Sequence, residues 1–413
     1  MRRVVITGTG VVSPLGHSID SMWKNVREGN SGIGPITRLD PEEYPSKIAG
    51  EVRDFDPTEF MDKKDARKMA LFSQYGVAAA VQAMQQAGLD SASIDTDRAG
   101  VILGNGIGGF EIIEEGHRTL FDKGPQRVPP MTIPKLISNE GPGHIAIQYG
   151  FHGPCYTVTT ACASGTDAIG QAMRAIKHGQ TDVMITGGTE ACITGLGIAG
   201  FCALKALSTQ YNDTPQIASR PFDKHRDGFV IAEGAGIMVL EELEHAKNRG
   251  ATILAEVSGY GMTCDAYHLT APDPEGSGAA KAMQLALDEA GMKPTDIDYI
   301  NAHGTSTPTN DPIETAAIRK TFGEHAYKLK VSSTKSMTGH MVGAAGGIEA
   351  IISLLSIRDG FIPATINLEE ADETCDLDYV AGKGIEAKVK AAISNSLGFG
   401  GHNSVILIKE YSE

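Results

Sequence analysis

The sequence predicts an α/β protein in which one architectural unit is used twice. Short β-branched runs alternate with helical stretches along the whole chain, the signature of α/β architecture. Glycine is abundant, 49 of 413 residues, and clusters beside apolar runs, as tight turns in a compact enzyme require. Two distant segments also share a layout. YTVTTACASGTDAIGQAMRAIKHGQ (156–180) and LKVSSTKSMTGHMVGAAGGIEAIISLLSIRDG (329–360) each read as a strand, a small-residue turn and a helix ending in glycine. Two unrelated α/β units that coincide in layout are the alternative.

Strands are expected at 3–7, 99–103, 156–160, 182–186 and 236–241, and again at 253–260, 297–302, 329–333, 392–395 and 404–409. Helical patterns fall at 73–88, 163–178, 278–291 and 344–359. The boundary between the halves is placed near residue 250, after EELEHAKNRG, giving units 1–250 and 251–413. The N-terminal MRRVVITGTG pairs two arginines with an apolar run that Thr and Gly break after four residues, so it reads as a strand starting at residue 3 and not as a signal peptide. The longest apolar helix candidate, around 342–357, carries Glu349 and is too short to span a bilayer. A soluble, cytoplasmic protein is expected.

The net charge is −15, from 36 basic and 51 acidic residues. Such a surface repels nucleic acid and anionic membranes, so neither is expected as a partner. An acidic partner needs a local basic patch. MDKKDARKM (61–69) offers one: Lys63 with Arg67 and Lys64 with Lys68 are spaced by one helical turn and form a single cationic face, unless this is an ordinary solvated helix. The six cysteines have no paired metal spacing, and five read as small buried core residues in a reducing cytosol.

The sixth, Cys162, follows the apolar YTVTTA and precedes ASGT, where a long helix begins. The positive end of that helix favours a thiolate, and the following N–H groups suit an oxyanion. A buried strand-end cysteine is the plain alternative. His303, in NAHGTSTPTND, opens a polar loop after a strand, where α/β folds place site residues; the alternative is a locally bonded turn histidine. Thr305 and Thr307 follow, with hydroxyls suited to an amide-bearing substrate arm. His340 lies in SSTKSMTGHMVGAAGG, with Lys335 and Glu349 nearby. These three are costly to bury unless paired, and an ion pair of Lys335 with Glu349 joining the halves is expected. SNSLGFGGHNS (394–404) and GNGIGG (104–109) both fail as nucleotide-phosphate loops. They read as backbone shaped around a narrow pocket, with Ile107 and Phe399 as walls.

In combination, VTTACASG, NAHGTSTPTND and SSTKSMTGHMVGAAGG make the chain resemble the β-ketoacyl-acyl carrier protein synthases, nearest their elongating, type II form, over essentially its whole length. The resemblance implies a thiolase-like fold, a duplicated five-layer αβαβα sandwich, and a homodimer. It implies an acylated nucleophile at Cys162, with His303 and His340 stabilising the enolate left by malonyl decarboxylation and Lys335 beside them. The N–H groups of Cys162 and Phe399 would form an oxyanion hole, in a loop with Gly398, Gly400 and Gly401. Phe399 and Ile107 would gate the acyl pocket, Phe201 and Thr270 would join its lining, and Asp265 would lie on a second mobile loop. Thr305 and Thr307 would hold the pantetheine arm, and the 63–68 patch would meet acyl carrier protein. No metal or redox cofactor is implied, although a structural monovalent cation near Asn301 and Glu349 belongs to the pattern. Asn310 and His402 depart from it, standing where relatives commonly have Gly and Thr; His402 is read as structural.

Competing readings are weaker. A biosynthetic thiolase needs a second late cysteine, and Cys375 lies in the acidic EADETCDLDY. An initiating synthase pairs Cys with His and Asn, a partner subunit lacks the nucleophile, and a discrete polyketide ketosynthase shares all three residues.

Overall fold

The computed structural model describes residues 2–413. Ten strands form one continuous sheet: β1 (Val4–Val12), β2 (Ala99–Gly104), β3 (Cys155–Val158), β4 (Val183–Glu190), β5 (Gly234–Glu242), β6 (Ala255–Cys264), β7 (Tyr299–Asn301), β8 (Lys330–Ser332), β9 (Ala391–Gly398) and β10 (His402–Lys409). Their spatial order is β8-β7-β9-β10-β6-β1-β5-β4-β2-β3. From either edge inward the order is third, second, fourth, fifth and first strand of that half. Pairing directions repeat too. In each half the second strand runs parallel to the third and fourth, and the fifth runs antiparallel to the fourth and first. The halves meet where β1 pairs antiparallel with β6 at Val5–Glu256 and Ile6–Ala255.

Between the two half-sheets lie helices Ser164–Lys177 and Ala345–Asp359. They are buried nearly all round, and Ile169, Met173, Ile348 and Ile352 belong to one apolar cluster. Helix Leu71–Ala87 covers the outer face of the first half, and helices Ser277–Ala290 and Asn310–Phe322 cover that of the second. The result is the five-layer αβαβα arrangement. The central helices approach at backbone distance. A Cβ on Gly165 would lie 3.0 Å from Gly347 N, and one on Gly347 would meet β5, 2.3 Å from Gly236 O.

The strand expected at 3–7 runs on to Val12. Gly8 and Gly10 do not break it; they let the outer helix lie on it. A Cβ at Gly8 would meet Ala83 O at 2.0 Å and one at Gly10 would meet Ala79 O at 1.9 Å. The second half repeats the device, with Gly259 against Ala286 O (2.1 Å) and Gly261 against Ala282 O (1.8 Å). The expected cationic helix is shorter than its spacing implied: Lys63–Ala66 is a single turn capped by Arg67. Of the five cysteines expected in the core, only Cys192 and Cys375 are buried. Cys155 is on the sheet-edge strand β3 and Cys264 at the end of β6, both exposed, and Cys202 is half-buried. No helix among the described residues is long and apolar enough to cross a membrane.

Candidate active site

Cys162 occupies a tight turn, Ala161–Ala163, between β3 and the central helix that starts at Ser164. Ala161 is held in the left-handed region, φ 51°. The Ser164 hydroxyl fixes the elbow, donating to Ala161 O (2.6 Å) and accepting from Thr160 N (2.9 Å). Asp167 ties the turn across the halves, accepting from Thr160 Oγ1 (2.5 Å) and from the Tyr260 hydroxyl of β6 (2.7 Å).

From the second half come both imidazoles. His303 follows β7. Its N–H and that of Gly304 donate to the two carboxylate oxygens of buried Glu314, each at 2.8 Å. His340 precedes the other central helix, and its backbone bonds to Val230 O (2.7 Å) and from Ala232 N (2.9 Å). The two rings are perpendicular, with centroids 5.3 Å apart, and Phe229 lies edge-on to His340 at 5.2 Å. Cys162 Sγ and a ring nitrogen from each histidine lie within 4.8 Å of one another. Beneath them Lys335 pairs with Glu349, both buried, as their spacing suggested.

Burial sets the protonation states. It pushes both imidazoles well below their ordinary range, with the Lys335 charge adding to it, so both are neutral at pH 7. It pushes the Cys162 thiol up to about 11, against Lys335 and the N–H groups of Phe399 and Cys162, which pull it down. The N–H groups at the helix end favour the thiolate, as the sequence suggested, but desolvation of the half-buried sulfur outweighs them, and the resting group is a thiol.

A cavity of about 370 Å³ opens onto the three residues. Phe201, Asp265, Thr270, Thr305 and Thr307 line it, as do Gly398, Phe399 and Gly401. The Thr305 and Thr307 hydroxyls are 2.9 Å apart. The two glycine-flanked loops are laced together: Gly400 N donates to Leu269 O (2.7 Å), Asp265 N to Gly401 O (2.9 Å) and Asn403 Nδ2 to Asp265 Oδ1 (2.7 Å). Ile107 stands behind the lining, packed with Phe201 and Val342. His402 is outside the cavity, its ring against Gly400. The cationic residues 63–68 are exposed and apart from the cavity, with Lys68 paired to Asp65 at 2.7 Å. Cys375 is buried elsewhere, in the outer cluster of the second half.

Asn301 lies beside Ser394 in the sheet. Glu349 Oε2 is buried with no partner. A buried carboxylate oxygen left without a donor suits a hard cation.

Residue-by-residue reading of the sequence missed Glu314, which fixes the His303 loop, and Arg226, whose guanidinium donates to Thr307 O and Pro308 O at 2.9 Å and so shapes the threonine loop. Glu314 was the findable one: an acid eleven residues after His303, on the buried face of the helix that follows.

Comparison with known proteins fits this geometry. The model described as "Beta-ketoacyl synthase, N-terminal domain" matches residues 1–246, and "Beta-ketoacyl synthase, C-terminal domain" matches 254–369. The chain belongs to the beta-ketoacyl synthase family. It is 53% identical over 407 residues to a "3-oxoacyl-[acyl-carrier-protein] synthase 2" of Coxiella burnetii, covering 98% of each chain. Among solved structures it superposes on a beta-ketoacyl synthase from Burkholderia phymatum with a TM-score of 0.93, at 36% identity and 100% coverage of both chains. It also superposes on a type II polyketide ketosynthase in complex with its acyl-carrier protein, with a TM-score of 0.92, 36% identity and 100% coverage of both.

Proposed function

We propose that this beta-ketoacyl synthase elongates fatty acyl chains, condensing an acyl group held on Cys162 with malonyl-acyl carrier protein to give 3-oxoacyl-acyl carrier protein, CO₂ and free carrier protein. The observation that carries the reading is one thiol and two neutral imidazoles converging at the floor of a single cavity. Identity of 53% to a 3-oxoacyl-acyl-carrier-protein synthase 2, against 36% to a polyketide ketosynthase, favours fatty acids over polyketides.

Cys162 Sγ attacks the acyl thioester carbonyl. The oxyanion sits between the N–H groups of Cys162 and Phe399, and the carrier's thiol leaves with the proton the cysteine gives up, so this half-reaction needs no net base. Malonyl-carrier protein then enters along Thr305 and Thr307. Loss of CO₂ leaves an enolate whose oxygen takes hydrogen bonds from Nε2–H of His303 and His340. Both Nδ1 atoms are buried without a partner. The tautomer with its proton on Nε2 avoids burying an unpaired N–H, and it is the one that donates into the cavity. The enolate carbon attacks the acyl-Cys162 carbonyl, the Cys162 thiolate leaves, and it takes up a proton from water, the one proton that loss of CO₂ consumes. Apart from that proton, each step uses side chains and backbone alone. Lys335 and Glu349 hold the floor, and Glu349 and Asn301 would hold a monovalent cation whose part is structural.

The same reading has residues 1–250 supply the nucleophile and 251–413 the imidazoles, with Asp265, Gly398, Gly400, Gly401, Phe201, Thr270 and Ile107 shaping entry and pocket. Carrier protein docks on Lys63, Lys64, Arg67 and Lys68. The protein works as a homodimer, for which the edge strand β3 and the exposed Phe121, Ile133 and Ile147 offer an apolar face. Six free thiols, two of them exposed, suit the cytoplasm.

Intact-protein mass spectrometry after mixing with acyl-carrier proteins of graded chain length tests this. A gain of one acyl group that is absent in Cys162→Ser is expected. No adduct with any chain length refutes the nucleophile.

A further inference from the structure

The duplication extends to the catalytic turn. Ala161–Ala163 leads into helix Ser164–Lys177, and Val342–Ala344 leads into helix Ala345–Asp359. Each turn opens on a side-chain-bearing residue in the left-handed region, Ala161 at φ 51° and Val342 at φ 45°. Gly343 thus stands in the second half where Cys162 stands in the first.

Its N–H is answered by an acid. Glu190, the fully buried last residue of β4, accepts from Gly343 N (3.1 Å) and Gly106 N (2.7 Å) through Oε2, and from Asn105 Nδ2 (3.2 Å) through Oε1. These donors are neutral amides on opposite halves, so one carboxylate ties the loop after β2 to the turn before the second central helix. That loop carries Ile107 and that turn is Val342's own; Val342, Phe201 and Phe229 line the cavity, and Ile107 belongs to the same apolar cluster behind them. The glycines leave room for the acid: a Cβ on Gly106 or Gly343 would lie 2.7 or 2.8 Å from Glu190 Oε2. Three donors shared over two oxygens call for a carboxylate: an amide would turn its NH₂ on one of them, and a hydroxyl offers a single oxygen. Burial pushes the Glu190 carboxyl up to about 7, so its charge is complete only above neutral pH, and there it raises the proton affinity of Cys162 and Cys192.

We propose that Glu190 is a positioning residue of the condensing site, fixing Val342 in the wall of the acyl chamber and Ile107 behind it, and setting a negative charge within reach of Cys162. The chain-length part rests on the condensing reading; the thiol part does not.

The test uses Glu190→Gln and Glu190→Asp in the full-length protein. Iodoacetamide alkylation of Cys162 is followed against pH by peptide mass spectrometry, which separates it from exposed Cys155 and Cys264. Removing the charge in Glu190→Gln lowers the alkylation midpoint by about half a pH unit, roughly threefold faster alkylation below the midpoint. Glu190→Asp keeps the charge but withdraws the clamp by one methylene. It changes the kcat/KM ratio of long to short acyl chains by about threefold or more and leaves the shortest chain unaffected. An unmoved midpoint together with an unmoved chain-length ratio overturns the proposal, whatever happens to thermal stability. If Glu190→Gln does not fold, the chain-length ratio in Glu190→Asp decides. If the wild type elongates no chain, the condensing reading fails and the alkylation midpoint still decides the thiol part.

Discussion

Replacing Glu349 with alanine leaves the Lys335 ammonium buried without its carboxylate. Both side chains are essentially inaccessible, 1% and 3% exposed. Breaking such a pair from one side costs about 3–5 kcal/mol, because the surviving charge has neither water nor a counter-ion. For a chain of this length that is a fall of about 5 °C in Tm. Replacing both partners with apolar residues, Lys335→Met with Glu349→Leu, removes the stranded charge and recovers most of the loss. The single variant also unmasks the Lys335 charge, which already pulls the Cys162 thiol down, so alkylation of Cys162 accelerates. The assay is thermal unfolding of wild type, single and double variants, with alkylation rates at fixed pH. A single variant within 1 °C of wild type, or a double variant no more stable than the single, refutes the burial argument.

Cys162→Ala abolishes condensation while malonyl-carrier protein still loses CO₂, because the imidazoles remain; full elongation by this variant refutes the acyl-enzyme route. Reversing the charges at Lys63, Lys64, Arg67 and Lys68 raises KM for carrier-bound substrate about tenfold or more, flattens its salt dependence and leaves kcat within twofold; an unchanged KM removes the patch from docking. Glu241, bonded by Arg249, His245 and Thr7, is held down at about 2 from an ordinary 4.5. A depressed carboxyl contributes stability that is complete above its unfolded value and lost as pH falls through its folded one, so Glu241→Gln costs about 2–3 kcal/mol at pH 7 and the difference closes between about pH 4.5 and 2. Urea midpoints across that range check it, and a gap that persists at pH 2 contradicts the assignment.

What was legible in the sequence is what is written locally. VTTACASG, NAHGTSTPTND and SSTKSMTGHMVGAAGG each carry a strand, a turn and a reactive residue within a few positions, so Cys162, His303, His340 and the Lys335–Glu349 pair could be read before any coordinates. What escaped depends on which distant surfaces meet. Gly8 and Gly10 looked like strand breakers because the helix that lies on them begins some sixty residues later. Their counterparts Gly259 and Gly261 were the missed sequence signal of duplication. The thiol's proton affinity was only half legible, because a helix end is visible in sequence and desolvation is not. Cys155 and Cys264 were placed in the core because a cysteine's type says nothing of whether its strand is an edge, as for Cys155, or where a strand ends, as for Cys264.

The seam between the halves is narrow. β1 and β6 share two paired positions, yet the thiol lies on one side of it and both imidazoles on the other. The sheet alone cannot set the gap across which they react; the crossing of the two central helices does. Gly165, against Gly347 N at the crossing, and Gly347, against Gly236 O of β5, act as shims, parts whose whole contribution is their thickness. One added methyl at either, a few residues from Cys162 or His340, would spread the jaws of the tool and leave the thiol and both imidazoles unaltered.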